Sequence, residues 1–377
     1  MKYCRRNADR RPAERTDILG RHVSETRIPS SGVLAVGVLA VVLLSLGIGG
    51  CGSPPPSDRP PLEFSEAGFP EKTDSFPNWP YPPERLETLL GETLVSGEFE
   101  LIERKRTEYG GSGPSRVTYY FPEIDQSIRF KWKAVPPDEL ETVNNSPRKE
   151  IAAYEIQKLF LDPEDYVVPT SLLHCEPIGR YAEAQGALRP SIAGSDCVLG
   201  VLSVWLEDVT IAETLYEEAR FTKEPDYAHY MGNFNLLTYL IDHKDARESN
   251  FLVAKDKTRR QVFSVDNGIA FEPFLYKFFA DNWNVIRVAG LREKYVDRLR
   301  DLEREDLDAL GVVAQLEKNE EGVFVPVGQD DNLAPNEGVR LRGDMLQIGL
   351  ARFEIDGIWD RVRRLLEDVD SGEIPVF

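Results

Sequence analysis

Residues 239–271 read YLIDHKDARESNFLVAKDKTRRQVFSVDNGIAF. His243, Asp245 and Asn250 stand at the first, third and eighth places of HKDARESN, and Asp266-Asn267-Gly268 closes the β-rich run 261–265. A carboxylate at 245 suits the receipt of a hydroxyl proton. An Asn at 250 and a second carboxylate at 266 suit the holding of metal ions that neutralise phosphates. A hairpin through the run at 251–253, a charged turn at 255–260 and the run at 261–265 presents all three groups at one place. Asp-Asn-Gly alone is ordinary turn sequence; its pairing with the preceding octet points to chemistry.

Upstream, 377 residues suffice for about two compact units, and 41% hydrophobic with 10% aromatic residues supply their cores. Residues 1–32 carry Lys2 and seven arginines, and residues 33–48 are almost purely apolar. This is the pattern of a basic leader followed by a hydrophobic export segment. It ends at Ile48-Gly49-Gly50-Cys51, which resembles the lipobox of bacterial lipoproteins, with Cys51 as the lipidated residue. An uncleaved membrane anchor is the alternative. Residues 1–50 are therefore expected as a signal peptide and 51–85, rich in Pro and Ser, as a tether, with Phe76, Trp79 and Tyr81 available to dock. Removing the leader's net +4 from the whole-chain −19 leaves about −23. Such a surface repels phosphate backbones and excludes nucleic acid as a partner.

The folded part is expected from residue 86. Runs at 98–104 and 116–121 flank Gly110-Gly111-Ser112-Gly113, either a phosphate-covering loop through Gly111 and Gly113 or a plain hairpin turn. Residues 127–135 alternate, with Ile128, Phe130, Trp132 and Ala134 on one face and Arg129, Lys131 and Lys133 on the other. Lys131 is the first candidate for a phosphate contact and Lys133 the second. Ser146-Pro147 starts a helix as N-cap and first helical residue. Glu150 or Glu155 on that helix is the candidate partner of the lysine, Glu150 preferred for its place just after the helix start.

Two further β-runs, SLLHCEPIG at 171–179 and 196–207, precede the helices expected at 211–219, 227–240, 287–313 and 358–369. Residues 317–342 read as acidic loop. The four histidines, His22, His174, His229 and His243, are too scattered for a metal site.

Taken in order, glycine loop, strand lysine, helix glutamate, HKDARESN and DNG resemble the protein-kinase-like superfamily. RKEIAAYEIQKLF followed by YVVPTS is similar to its atypical branch, which includes the secretory-pathway and phosphoinositide kinases. The resemblance covers roughly residues 91–310. It implies an α+β, two-lobed fold, with a small β-rich lobe at 86–207 and a larger, mainly helical one at 208–377. It further implies ATP in the cleft with Mg²⁺ or Mn²⁺. Asp245 becomes the catalytic base, with His243 beside it in the catalytic loop. Asn250 and Asp266 become metal ligands, Lys131 or Lys133 with Glu150 the phosphate-positioning pair, and Glu207 part of the hinge that meets the adenine. The implied activity is phosphoryl transfer to a hydroxyl of an exported protein or small molecule, on a membrane-anchored protein at the periplasmic or extracellular face. A catalytically silent scaffold and a nucleotidyl transferase are the alternatives. In this fold Cys175 and Cys197 lie on neighbouring antiparallel strands of an exported domain, either bridged or as two buried free thiols.

Overall fold

The computed structural model describes residues 69–377, apart from 71, 108–113, 142–145, 186–188, 212–215, 246–249, 259–260 and 272–282. Its described part is α+β, with antiparallel sheets and several helices.

The largest sheet is five-stranded, built from β1 (Glu100–Arg106), β2 (Ser115–Phe121), β3 (Gln126–Ala134), β4 (Ser171–Pro177) and β5 (Cys197–Val204), in the order β1-β2-β3-β5-β4. On β3 the alternation behaves as a half-buried strand should. Ile128, Phe130 and Trp132 are at most 1% exposed and pack among the rings of Tyr119, Phe121 and His174, while the basic residues take the other face. On β5, Gly200 makes room for that packing, since a Cβ there would lie 2.6 Å from the Trp132 ring and 2.8 Å from the Lys133 carbonyl.

Three helices accompany this sheet. Helix α1 (Pro83–Ser96) begins on a proline, buries Leu86, Leu89, Leu90 and Leu94 along one stripe, and stops at Gly97, whose φ of 72° closes a left-handed cap onto Thr93. Helix α2 (Pro147–Gln157) also starts on a proline, and Ile151, Ala152 and Ile156 turn inward. Ser146 has the extended backbone of an N-cap, but its hydroxyl makes no capping bond; instead its N–H donates to the carbonyl of Gly268 at 3.3 Å. Helix α3 (Ile178–Gln185) follows β4 and takes the last two residues of the β-run expected at 171–179.

Beyond β5 come β6 (Val209–Ile211), α4 (Glu218–Phe221) and α5 (Pro225–Leu240), then the hairpin of β7 (Phe251–Ala254) and β8 (Val262–Ser264). Strands β6, β7 and β8 form a three-stranded sheet. Strand β6 occupies the start of the helix expected at 211–219. The helix expected over 287–313 is broken. Helix α6 spans Glu293–Asp301, Leu302 is extended, and a 3-10 segment (Arg304–Gly311) restarts where Glu303 and Asp306 cap each other reciprocally.

Strands β9 (Ala314–Lys318), β10 (Phe324–Pro326), β11 (Val339–Arg342) and β12 (Met345–Ile348) pair in the order β10-β9-β12-β11. The stretch read as acidic loop carries the end of β9, strand β10 and strand β11 within this four-stranded sheet. Gly343, with φ of 62°, opens the two-residue turn between β11 and β12. This sheet touches the first one: Asp196 N–H donates to the Gly322 carbonyl at 2.8 Å, and β10 packs on β4 and α1. The chain ends in α7 (Arg352–Asp370), longer than expected. No helix among the described residues is long and apolar enough to cross a membrane.

The last part of the stretch expected as tether is packed onto the fold. Phe76, Trp79 and Tyr81 are buried, at 9%, 1% and 8% exposure, and Trp79 meets Phe263 of β8 edge-on. Large aromatic surfaces gain too much from leaving water to remain on an extended linker.

Candidate active site

Strand β3, helix α2 and the turn after β8 meet at one ion-pair cluster, in which Lys133 and Glu150 are buried and Asp266 is part-exposed. Lys133 Nζ donates to Glu150 Oε1 at 2.9 Å and also to Asp266 Oδ1. The other oxygen of Glu150 accepts from the backbone N–H of Asn267 at 2.8 Å. Burial disfavours the charged form of Lys133, but the two carboxylates outweigh it and raise its pKa above the ordinary lysine value. Burial alone would raise Asp266; the Lys131 and Lys133 ammonium groups reverse this and hold its carboxyl well below the usual range. At neutral pH Lys133 is therefore held as the ammonium and Asp266 as the carboxylate.

Of the two candidate lysines, Lys133 is the one bonded to Glu150, whereas Lys131, ranked first from sequence, lies one pleat earlier on the same face and is half-buried. A period of two fixes the face of a strand, not the position along it that meets a helix. Glu155, the second candidate, bonds Lys158 instead.

The turn bearing Asp266 is bent by the backbone itself. Asp266 has φ of 68°, a left-handed conformation that Asp and Asn tolerate better than other side chains. Ser264 Oγ donates to Asn267 Oδ1 at 2.7 Å and fixes the next residue. Asn267 and Ser264 thus shape the site without having been singled out in sequence; the Asn after the Asp was the available signal.

In the octet, Asn250 Nδ2 donates to both the carboxylate and the carbonyl of Asp245, each at 2.9 Å. With its nitrogen so used, Asn250 offers a cation its carbonyl oxygen. His243 is a correction. It is fully buried, edge-on to Phe251, with no hydrogen bond to either ring nitrogen among the described residues. Burial pushes its pKa down to about 4, so it is a neutral core group beneath the loop rather than one that touches substrate.

Glu207 also differs from expectation. Its N–H donates to the Asn78 carbonyl at 2.9 Å, its carbonyl accepts from Asn78 Nδ2 at 2.8 Å, and its carboxylate accepts from Arg129 at 3.0 Å. Asn78 lay within the expected tether, where Pro-rich composition hid it. Cys175 and Cys197 form a disulfide between β4 and β5, with Cα atoms 5.4 Å apart. Gly111, Gly113 and Cys51 lie outside the described residues.

Among the described residues no group of three or more His, Cys, Asp or Glu is arranged around a metal site. The donors offered here are the Asp266 carboxylate and the Asn250 amide oxygen, a hard set that suits Mg²⁺ or Mn²⁺ when water and substrate phosphates complete the shell. No protein-family model matches the chain, and no curated protein is significantly similar to it.

Proposed function

We propose that the chain is a metal-dependent phosphotransferase with a two-lobed, protein-kinase-like architecture of the atypical branch, using ATP to phosphorylate a hydroxyl of an exported protein or small molecule. The observation that carries this reading is the convergence of Glu150 and Asp266, 17 and 133 residues away in sequence, on Lys133 in one ion-pair cluster. A largely buried cluster of this kind is costly to maintain for stability alone, and perturbed ionisable groups gather at functional sites.

In this reading Glu150 holds Lys133 so that its ammonium faces the donor phosphates. The metal, when bound by Asp266 and Asn250, neutralises charge on the transferring group. Asp245 accepts the proton of the attacking hydroxyl, and the Asn250 amide keeps its carboxylate in place. The five-stranded sheet with α2 corresponds to the small lobe, and α5 with the β7–β8 hairpin begins the larger one. Cys51 anchors the protein to the membrane on the periplasmic or extracellular side.

The test is incubation with γ- and α-labelled ATP and Mg²⁺ or Mn²⁺. Label from γ alone supports phosphoryl transfer. Label from α means nucleotidyl transfer, and none means a scaffold. Asp266→Ala is expected to lose metal-dependent nucleotide binding, while Asp245→Ala keeps binding and loses turnover. The anchor is tested separately: fatty-acid labelling should mark wild type and not Cys51→Ser.

A further inference from the structure

One row across the face of the five-stranded sheet that bears Lys133 is polar where a base-binding wall would be apolar. The register places Lys105 opposite Arg116, Arg116 opposite Lys131, Lys131 opposite Ser203 and Ser203 opposite Ser171. Paired residues share a face and stand about 5 Å apart, so one row across all five strands carries three cations and two hydroxyls and no apolar side chain. Along β3, Arg129 and Lys133 flank this row on the same face; Val201 and Leu173, opposite Lys133, are buried on the sheet face where α2 packs. A purine ring seeks flat apolar or aromatic surface above and below. This row offers none.

The charges are not all neutralised in place. Arg116 has Glu103 at 3.2 Å, Arg129 has Glu207 at 3.0 Å, and Lys133 has Glu150 and Asp266. Lys131 has no hydrogen bond or ion pair among the described residues, although its charge acts on Asp266. An ammonium without a partner among the described residues, two residues before Lys133 on the same strand face, is placed for an anion that also touches the metal.

The hinge end of the same face is already filled. Asn78 takes the N–H of Glu207, and the Phe69 ring lies 3.8 Å from the Arg129 guanidinium. The cavity left there, lined by Phe69, Lys72, Pro80, Arg129, Trp205 and Glu207, holds about 130 Å³. Pockets for small organic ligands usually span roughly 300–1,000 Å³.

We propose that this site recognises its phosphoryl donor by the phosphate chain and not by the base, so that linear polyphosphates of three or more units serve as donors alongside ATP. The proposal rests on the phosphotransferase reading and names its donor class. In the step, the acceptor oxygen bonds to the terminal phosphorus and the bridging P–O bond breaks. The shortened polyphosphate leaves with the bonding pair, and the hydroxyl proton passes to Asp245.

Calorimetric titration of the purified full chain with Mg²⁺ and ATP, tripolyphosphate or adenosine tests this. Tripolyphosphate is expected to bind within about threefold of ATP, and adenosine neither to bind nor to displace it. Lys131→Ala should weaken both phosphates at least tenfold with an unchanged melting temperature, and Lys131→Arg should restore them. ATP binding at least tenfold tighter than tripolyphosphate, displacement by adenosine, or unaltered tripolyphosphate binding by Lys131→Ala would each overturn the donor proposal and leave the phosphotransferase reading standing. If the folded protein binds neither ATP nor tripolyphosphate, both readings fall.

Discussion

Glu150 accepts the backbone N–H of Asn267 at 2.8 Å, so helix α2 holds directly the residue that follows Asp266. The same carboxylate holds Lys133 through its other oxygen. One side chain therefore couples the helix to both cationic and anionic halves of the site. Glu150→Gln keeps an acceptor for Asn267 and loses the charge that balances Lys133. Glu150→Ala loses both. Both variants are expected to lose about a hundredfold or more in turnover, on the scale of a mispositioned catalytic group. Only the alanine variant should lose hydrogen-exchange protection at the Asn267 amide; equal protection in the two would show that the contact does not position the turn.

A second clamp acts from the C-terminal side. Arg148 on α2 donates to Glu354 Oε2 at 2.5 Å, and the Glu354 side chain is completely buried at the start of α7. Removing one partner strands a buried charge, so Arg148→Met should destabilise by about 3–5 kcal/mol, whereas the double variant Arg148→Met with Glu354→Leu should recover much of that loss. Chemical denaturation of the singles and the double measures the coupling. Additive losses would mean the pair contributes little.

His243 makes stability depend on pH. In the folded protein its pKa, about 4, lies below the ordinary histidine value of 6.5. The unfolded chain therefore binds the proton first, and stability present above pH 6.5 is lost as pH falls toward 4. With about 1.4 kcal/mol per pKa unit, the loss is on the order of 3 kcal/mol. His243→Leu should flatten this part of the profile. Urea midpoints at pH 7 and 4.5 decide it, and an unchanged slope in the variant counts against the burial account.

The Cys175–Cys197 bridge spans 22 residues of sequence. By chain entropy it contributes about 3 kcal/mol. Paired Cys→Ala substitution should lower stability by that order. Mass spectrometry without reductant should find the two cysteine-bearing peptides joined, and free alkylatable thiols on both would exclude the bridge.

Much of the site was legible because its parts are local. The octet at 243–250 and the Asp266 turn are fixed spacings within one hairpin, the alternation of β3 is a period of two, and the Pro147 start of α2 is a short-range signal. What was missed lies in weak or misleading local patterns. The strands β9–β12 are three to five residues long and interleaved with acids, so their alternation was too brief to outweigh a loop-like composition. Asn78 and Trp79 sit among prolines that suggest an extended linker, and their burial depends on Glu207, beyond the end of β5, and on Phe263 of β8.

The sequence by itself determined the α+β class, the face of β3 that carries the cations, and the residue types brought together after β8, because side-chain periodicity and turn chemistry are properties of neighbouring residues. Only the tertiary structure decided that Lys133 rather than Lys131 meets Glu150, that His243 is buried, and that Glu207 is paired with Asn78. Each of these depends on where one element stops along another, and that is set by the packing of side chains distant in sequence, such as Gly200 admitting the Trp132 ring beside Lys133.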